Sequence, residues 1–249
     1  MNKSVQELIE KHILKEYKYI HNDICKITLS NNIMHSVLSG VALGDAQEHT
    51  ALKRARLSKT EGTHTVDDLI DFDILSSKSS TKLLPRVEGI SHKLYFNTPF
   101  LRFWFAFVSP VFKGIKTGVY KEFEANYENK RAEFINLTYI QLCKEYIKLM
   151  YKNDIIHNMD SYWDKQSEID IVMKTKSGKI IAGNCKFNNS KIKKNELNKL
   201  KQDCERIGLK VDTFVLFSKL GFSSELKSQK SEGLKLFTIK SLRKLKEDS

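Results

Sequence analysis

The feature that most restricts the fold is an alternation of strand-like and helix-like segments in the last third of the chain. EIDIVMKT and KIIAGNCKF are rich in β-branched residues and flank Ser177-Gly178, which predicts a β-hairpin. KKNELNKLKQDCERIG then carries apolar residues at helical spacing and ends at Gly208, as a helix does. A strand (VDTFVLFS), a helix (SSELKSQKSEG) and a final strand (LKLFTI) follow. This order predicts an α/β sheet with helices on its faces.

The first hundred residues are predicted to be mainly helical. The segment HTVDDLIDFDIL predicts a helix whose start is marked by Thr65 and Asp68 in a capping-box pattern. After it, LLPRVEGISHKLYFN predicts a β-wing. Residues 4–20 place six apolar side chains on one helical stripe, namely Val5, Leu8, Ile9, Ile13, Tyr17 and Ile20.

A long amphipathic helix is predicted over residues 121–151. Its apolar stripe is expected to face a core and consists of Phe123, Tyr127, Phe134, Leu142, Tyr146 and Ile147.

The aromatic segment FLRFWFAFV precedes this long helix and has two interpretations. Its rings could stack nucleic-acid bases, or they could form a buried connector between domains. The second is the more common use of such a run. In that case Arg102 is expected to bond a carboxylate or the carbonyls at a helix C-terminus.

Basic residues are concentrated in the last third of the chain. The formal net charge is +12, and residues 174–249 contain 19 Lys or Arg against 8 Asp or Glu. A surface of one sign attracts polyanions, which favours a nucleic-acid partner, although lysine is also a common surface residue. Four scattered cysteines without a C-x-x-C pair make a zinc site improbable. With no signal-peptide pattern and no membrane span, we expect a cytoplasmic protein.

Four polar residues of the hairpin form the candidate chemical site. Period-two alternation places Glu168 and Asp170 on one face, and Asn184 and Lys186 on one face, while the residues between them face the core. Metal-dependent phosphodiester cleavage needs oxygen ligands for Mg²⁺ or Mn²⁺ and a cation near the phosphate. An exposed hairpin edge that merely carries polar residues is the alternative.

The segment WDKQSEIDIVMKTKSGKIIAGNCKF resembles the core of PD-(D/E)XK (restriction-endonuclease-like) nuclease domains. FLRFWFAFVSP, EIDIV, CKF and FVLFSKLGFSSEL together resemble the uncharacterised C-terminal region of archaeal-type AAA ATPases. In that family a winged helix precedes a nuclease-like domain. The resemblance implies a mostly helical, winged-helix-like domain at 1–98, an aromatic connector at 99–120 and a nuclease-like α/β domain at 121–249.

The resemblance also implies roles for the hairpin residues. Asp170 becomes the central ligand of Mg²⁺ or Mn²⁺, Glu168 an accessory acid and Lys186 the catalytic cation, and the carbonyl of Cys185 completes the shell. The family pattern has a carboxylate where this chain has Asn184, whose amide oxygen offers a ligand without charge.

Two further departures from the family concern other segments. Ile140 and Gln141 stand where the first helix of nuclease-like domains often carries acids. No G-x-x-x-x-G-K-[ST] motif occurs, so we expect no nucleotide site.

Seven basic residues are candidates for phosphate contacts. Lys219 follows a strand at the edge where α/β sheets bind ligands. The other candidates are Lys191, Lys193, Lys194, Lys53, Arg54 and Arg56. The acid-rich segment HTVDDLIDFDIL would repel phosphate, so the helical domain is expected to dimerise or pack rather than to enter a DNA groove.

These observations predict a nucleic-acid-associated protein that binds DNA through its basic last third, with weak metal-dependent cleavage as a further expectation. The alternative is a catalytically degenerate interaction module that forms a homodimer or partners a separate ATPase.

Overall fold

The computed structural model describes residues 4–84 and 90–246. The chain divides into two compact units. The first comprises Met1–Lys78 and Ser91–Phe134, and the second comprises Ser79–Ile90 and Ile135–Ser249. Among the described residues, no helix combines the length and the apolar character needed to cross a membrane.

The first unit is mostly helical, as predicted, and contains one small sheet. Strands β1 (Leu75–Lys78) and β2 (Lys93–Phe96) pair antiparallel. Its helices before β1 are α1 (Val5–Ile9), α2 (Tyr17–Ile27), α3 (Asn32–Val41), α4 (Glu48–Ala55) and α5 (Lys59–Asp71). After β2 come α6 (Pro99–Phe103), a π-helical turn (Trp104–Val108), a 3₁₀ turn (Ser109–Val111), α7 (Phe112–Lys116) and the first part of α8 (Lys121–Met150).

The predicted stripe over residues 4–20 is wrong in two respects. Val5 and Leu8 are exposed, at 64% and 42% of their surface. Glu10–Leu14 forms a π-helical turn, which holds one residue more than an α-helical turn. Leu14 is therefore fully buried where Ile13 was expected, and the buried side chains no longer recur at regular helical spacing.

Helix α5 begins earlier than the capping-box pattern indicated. Its N-cap is Ser58, whose hydroxyl accepts the amide N–H of Glu61. Thr65 instead lies inside the helix, where its hydroxyl donates to the Glu61 carbonyl at 2.9 Å. Residues 85–89 of the predicted wing lie outside the described residues, and the described strand of that segment is β2.

The aromatic segment is largely buried, as the second of its two interpretations requires, and it lies within the first unit. Trp104, Phe105 and Phe107 are each at most 1% exposed. Arg102 donates to the carbonyl of Ala42, the C-cap of α3, at 3.1 Å, and to that of Phe134 at 2.9 Å. Burial lowers the pKa of Arg102 to about 10. The expected bond to a helix C-terminus is therefore present.

The second unit contains a five-stranded mixed sheet in chain order. Neighbours β3 (Ile156–Trp163), β4 (Glu168–Thr175) and β5 (Ile180–Lys186) are antiparallel. β6 (Thr213–Ser218) and β7 (Leu234–Thr238) continue the sheet in parallel to β5. This confirms the predicted hairpin and the mixed α/β class. No residues were assigned to β3 from the sequence.

Helices form a core on each face of this sheet. One core contains Leu197, Leu200 and Cys204 of α9 (Lys194–Arg206), as predicted. The other contains Tyr139, Cys143, Tyr146 and Ile147 of α8. Leu142 was expected in that stripe but is 43% exposed, because the buried positions recur from Tyr139 at helical spacing. The second unit also contains the short helix α10 (Ser224–Ser228) and a 3₁₀ helix (Ile239–Lys246) after β7.

Candidate functional site

The candidate site forms where β4 and β5 stop pairing. Their ladder ends at Ile171 and Gly183. Beyond these residues, two side chains accept hydrogen bonds from main-chain N–H groups that the neighbouring strand no longer binds. The amide oxygen of Asn184 accepts the Asp170 N–H at 3.2 Å, and the Asp170 carboxylate accepts the Cys185 N–H at 2.8 Å. Asp170 and Asn184 therefore hold each other at this end of the hairpin.

The strict alternation predicted for β4 does not hold here. Its pairing with β3 shifts register between Asp160 and Tyr162, which marks a bulge. Ile169 is buried in the core that contains α9, whereas Ile171 is buried in the core that contains α8. Residues two apart therefore face opposite sides across Asp170, as bulges allow. Period two therefore does not place Glu168 and Asp170 on one face of this strand, and their shared face stays a prediction.

The Asp170 carboxyl group has an unusual environment. Burial is the largest influence and raises its pKa, which Glu168 raises further. The Cys185 N–H, Lys186 and Lys144 act in the opposite direction, and the resulting pKa is about 6. A carboxyl group with such a pKa is able to change charge near neutral pH.

Lysines approach this carboxyl group from two elements. The ammonium of Lys186 lies 3.7 Å from the Glu196 carboxylate, with both side chains partly exposed. Lys144 of α8 donates to the buried Ser161 hydroxyl at 2.7 Å, and that hydroxyl donates to the Asp170 carbonyl at 2.8 Å. The sequence analysis missed Lys144, Ser161 and Glu196. The one signal for Lys144 is its place beside Cys143, at the border of the buried stripe of α8.

The donor set does not fit a divalent cation held by the protein alone. Across residues 4–84 and 90–246, no group of three or more His, Cys, Asp or Glu side chains is placed to hold a metal. Mg²⁺ is usually held by one or two carboxylates together with waters and substrate phosphates. Asp170 and Asn184 each already accept a main-chain N–H. The predicted Mg²⁺ or Mn²⁺ site, including the carbonyl of Cys185, therefore stays a prediction, and the DNA binding proposed below uses no metal.

The predicted phosphate-contact residues of the second unit lie around one edge of the sheet. Lys219 follows β6 directly, and its N–H donates to the Lys186 carbonyl at 3.2 Å. Its ammonium donates to the Asn189 side chain at 2.7 Å and lies 4.8 Å from the centre of the Phe187 ring. Lys191 is exposed in the loop before α9.

Two more of these lysines lie at the start of α9. Lys193 is its N-cap residue, and no side chain bonds to that cap. Lys194 forms an ion pair with Glu225 at 3.3 Å. The structure thus places these four lysines, together with Lys186, at the carboxyl ends of β5 and β6 and in the segments that follow them.

The three basic candidates of the first unit lie on α4 or at its end. Lys53 is exposed. Arg54 donates to the Leu43 carbonyl and lies 3.9 Å from the Glu133 carboxylate. Arg56 is the C-cap and has a φ of 58°. Arg54 and Arg56 therefore have structural roles in ending and anchoring α4.

Comparison with known proteins gives one result. A family described as archaeal and bacterial proteins of unknown function (DUF234) matches residues 104–200. The matched span runs from the buried aromatic residues through α8 and β3 to β5 into α9. It contains EIDIV and CKF and is consistent with a C-terminal region of the archaeal ATPase type. No curated protein and no solved structure matches the chain.

Proposed function

We propose that this protein binds nucleic acid, and DNA in particular, by phosphate contacts at the carboxyl edge of β5 and β6. One observation carries the proposal. Lys186 and Lys219 end neighbouring parallel strands, and the main-chain bond between them places both residues at the same end of the sheet. Ligands of α/β sheets bind at this end of the strands.

The surrounding charge supports a polyanionic partner. The last 76 residues contain 19 basic and 8 acidic residues, so most of the net charge of +12 belongs to this part of the chain. Such an excess raises the local concentration of phosphate groups and the association rate.

The ion pairs at this edge are able to exchange partners. Both Lys186 with Glu196 and Lys194 with Glu225 are partly exposed pairs. Pairs of this kind contribute only about 0–1 kcal/mol, so a phosphate group is able to displace the glutamate at small cost. The lysines are therefore present at the edge and remain accessible to a ligand.

We further infer that the second unit is a nuclease-like domain of the PD-(D/E)XK type, with the DUF234 match as a weak link to the C-terminal regions of ATPases. The β3–β4–β5 antiparallel arrangement, the parallel continuation to β7 and the placement of Asp170 and Lys186 support this. Cleavage in Mg²⁺ or Mn²⁺ remains a secondary part of the proposal.

The binding test uses fluorescence anisotropy with single-stranded and duplex DNA oligonucleotides at several salt concentrations. The proposal expects affinity to fall steeply with salt and Lys186→Met/Lys219→Met to weaken binding about tenfold or more. Lys179→Met/Lys230→Met is the matched control, since both lysines are exposed and precede β5 and β7 at the other end of the strands. Equal loss in both double variants would indicate a general charge effect and overturn the proposed edge.

The cleavage test incubates plasmid and single-stranded DNA with the protein in Mg²⁺ or Mn²⁺. Loss of cleavage in both Asp170→Ala and Lys186→Ala would establish a nuclease. Binding without cleavage supports a non-cutting DNA protein. Absence of both favours the interaction module, whose partner, a second copy or an ATPase, would bind through a less salt-sensitive interface.

A further inference from the structure

A cavity of about 660 Å³, lined by both apolar and polar side chains, lies within the first unit. It is lined by residues of α2, α3 and α4 and by the turn that contains Ser109 and Pro110. Its volume falls in the range of small-molecule sites, which is roughly 300–1,000 Å³. The size alone admits a metabolite-sized ligand.

The charge of the lining indicates the kind of ligand. Arg54 is its one permanently charged side chain, and no carboxylate is among the residues that line it. His21 and His35 also line the cavity, and burial lowers the pKa of both, while Lys116 lowers that of His21 further. The imidazoles are therefore neutral at pH 7, and the net charge of the lining is positive. This charge favours an anion.

His35 adds a defined hydrogen-bonding group. The Thr28 hydroxyl donates to the Ile24 carbonyl at 2.8 Å and lies 2.6 Å from His35 Nε2. The tautomer that satisfies both contacts is the one in which Nε2 carries the proton and donates to Thr28. The neutral ring then has Nδ1 as an acceptor, which is able to bind a ligand hydroxyl or N–H.

One wall of the cavity is held by stacked rings. The rings of Tyr17 and His21 stack at 5.1 Å with an angle of 13°, and those of Tyr17 and Trp104 stack at 5.5 Å with an angle of 12°. Trp104 is buried and begins the π-helical turn Trp104–Val108. Single π-helical turns are frequent at functional sites. The position of the His21 ring is thus determined before any ligand binds.

We propose that this cavity binds a small organic oxyanion, with its carboxylate or phosphate group on Arg54 and a hydroxyl or N–H group on His35. Arg54 holds the Leu43 carbonyl, and its other terminal nitrogen is 3.9 Å from Glu133, at the limit of an ion pair. The ligand oxyanion replaces this long contact with a charge-assisted hydrogen bond.

The experiment titrates the full chain, with ¹⁵N-labelled histidine, against sodium phosphate and, separately, sodium acetate. Sodium chloride at matched ionic strength is the reference. We expect saturable shifts of the His21 and His35 imidazole signals with a dissociation constant on the order of 1–10 mM. The exposed His12 and His64 serve as internal controls and are not expected to shift.

Variants decide whether the cavity is responsible. Arg54→Met should weaken binding about tenfold, Arg54→Lys should restore part of it, and the exposed neighbour variant Lys53→Met should have little effect. Ser36→Leu fills the cavity without removing Arg54 and should abolish the shifts, which covers the case in which Arg54→Met does not fold.

Each outcome has a defined meaning. Saturation by phosphate alone, by acetate alone or by both supports the proposal and identifies the anionic group. Shifts no larger than those in chloride, or equal in the unmutated protein and Ser36→Leu, overturn it.

Discussion

Asp164 and Asp170 lie six residues apart in the second unit and have opposite environments. Asp164, between β3 and β4, accepts hydrogen bonds from the Tyr162 hydroxyl at 2.6 Å, the Gln166 and Ser167 N–H groups at 2.8 Å and Arg206 at 2.8 Å. These bonds outweigh burial and hold its pKa well below the usual range. Asp170 accepts one main-chain N–H, and burial raises its pKa to about 6.

The ionised carboxylate of Asp164 stabilises the fold, whereas the ionised carboxylate of Asp170 lowers its stability. Donors around Asp164 stabilise its charge, and that charge fixes the turn that leads into β4. The surroundings of Asp170 instead disfavour its charge, which is the arrangement expected at a binding or catalytic site.

The largest expected effect is a loss of stability in Asp164→Ala. The substitution leaves the buried donors of Tyr162 and Ser167 without this acceptor and removes the ion pair with Arg206, so it should lower the free energy of unfolding by about 3 kcal/mol. Urea denaturation followed by fluorescence measures it, because Trp163 is adjacent and is the one tryptophan of the second unit. Lys165→Ala is the matched exposed control. A change below about 0.5 kcal/mol would show that the turn does not depend on this carboxylate.

Asp170→Asn should raise the free energy of unfolding, in contrast to Asp164→Ala. The amide oxygen keeps an acceptor for the Cys185 N–H, and the substitution removes a carboxyl group whose pKa is raised, so stability at pH 7 should increase, by at most about 3 kcal/mol. Because the folded form binds the proton more tightly, the native aspartate costs least at low pH. Its cost in stability grows as pH rises from the ordinary aspartate pKa of 3.8 to the raised pKa of about 6.

The pH dependence of stability tests whether the charge of Asp170 is destabilising. Unfolding free energies measured from pH 4 to pH 7 should diverge between the two proteins as pH rises and then run parallel. Parallel curves throughout the range would mean that Asp170 has an ordinary pKa. Asp164 shows the reverse sign, since its contribution is present above the usual aspartate range and is lost as pH falls through its own low pKa.

A smaller effect is expected for Asn184→Ala. It removes the acceptor of the Asp170 N–H and should cost about 1 kcal/mol. Asn188→Ala, at an exposed position of the following loop, controls for loss of an amide. Equal stability of the two variants would contradict the proposed closure of the hairpin by Asp170 and Asn184.

The smallest effect is expected for Asn184→Glu on binding of Mn²⁺. An added carboxylate next to Asp170 should raise the affinity for the ion several-fold, because two acids become three. Electron paramagnetic resonance of free Mn²⁺ measures it, with Gln141→Glu on α8 as the comparison. An unchanged affinity in Asn184→Glu would show that residue 184 does not face the acids.

Local pattern predicted the second unit better than the first. Alternation and turn residues identified the β4–β5 hairpin, α9 and the strands β6 and β7, because each segment is short and is bounded by turn residues. In the first unit the π-helical turn at Glu10–Leu14 shifted the buried face, and Ser58 took the capping role predicted for Thr65. Such choices depend on tertiary packing, which overrides local propensity.

The sequence by itself determined the α/β class of the second unit and the position of the lysines at the ends of β5 and β6, whereas it left two interpretations of the aromatic segment open. The hydrophobic period within each segment and the order of the segments carry this information, and both are read directly along the chain. Only the tertiary structure decided that Lys144 and Ser161 reach Asp170, that the bulge breaks the alternation of β4, and that Asp164 and Asp170 differ. The reason is that the protonation state of a carboxyl group depends on hydrogen-bond donors and burial supplied by α8, β3, β5 and α9. The distances from the carboxyl group to these elements cannot be read from the spacing of residues along the chain.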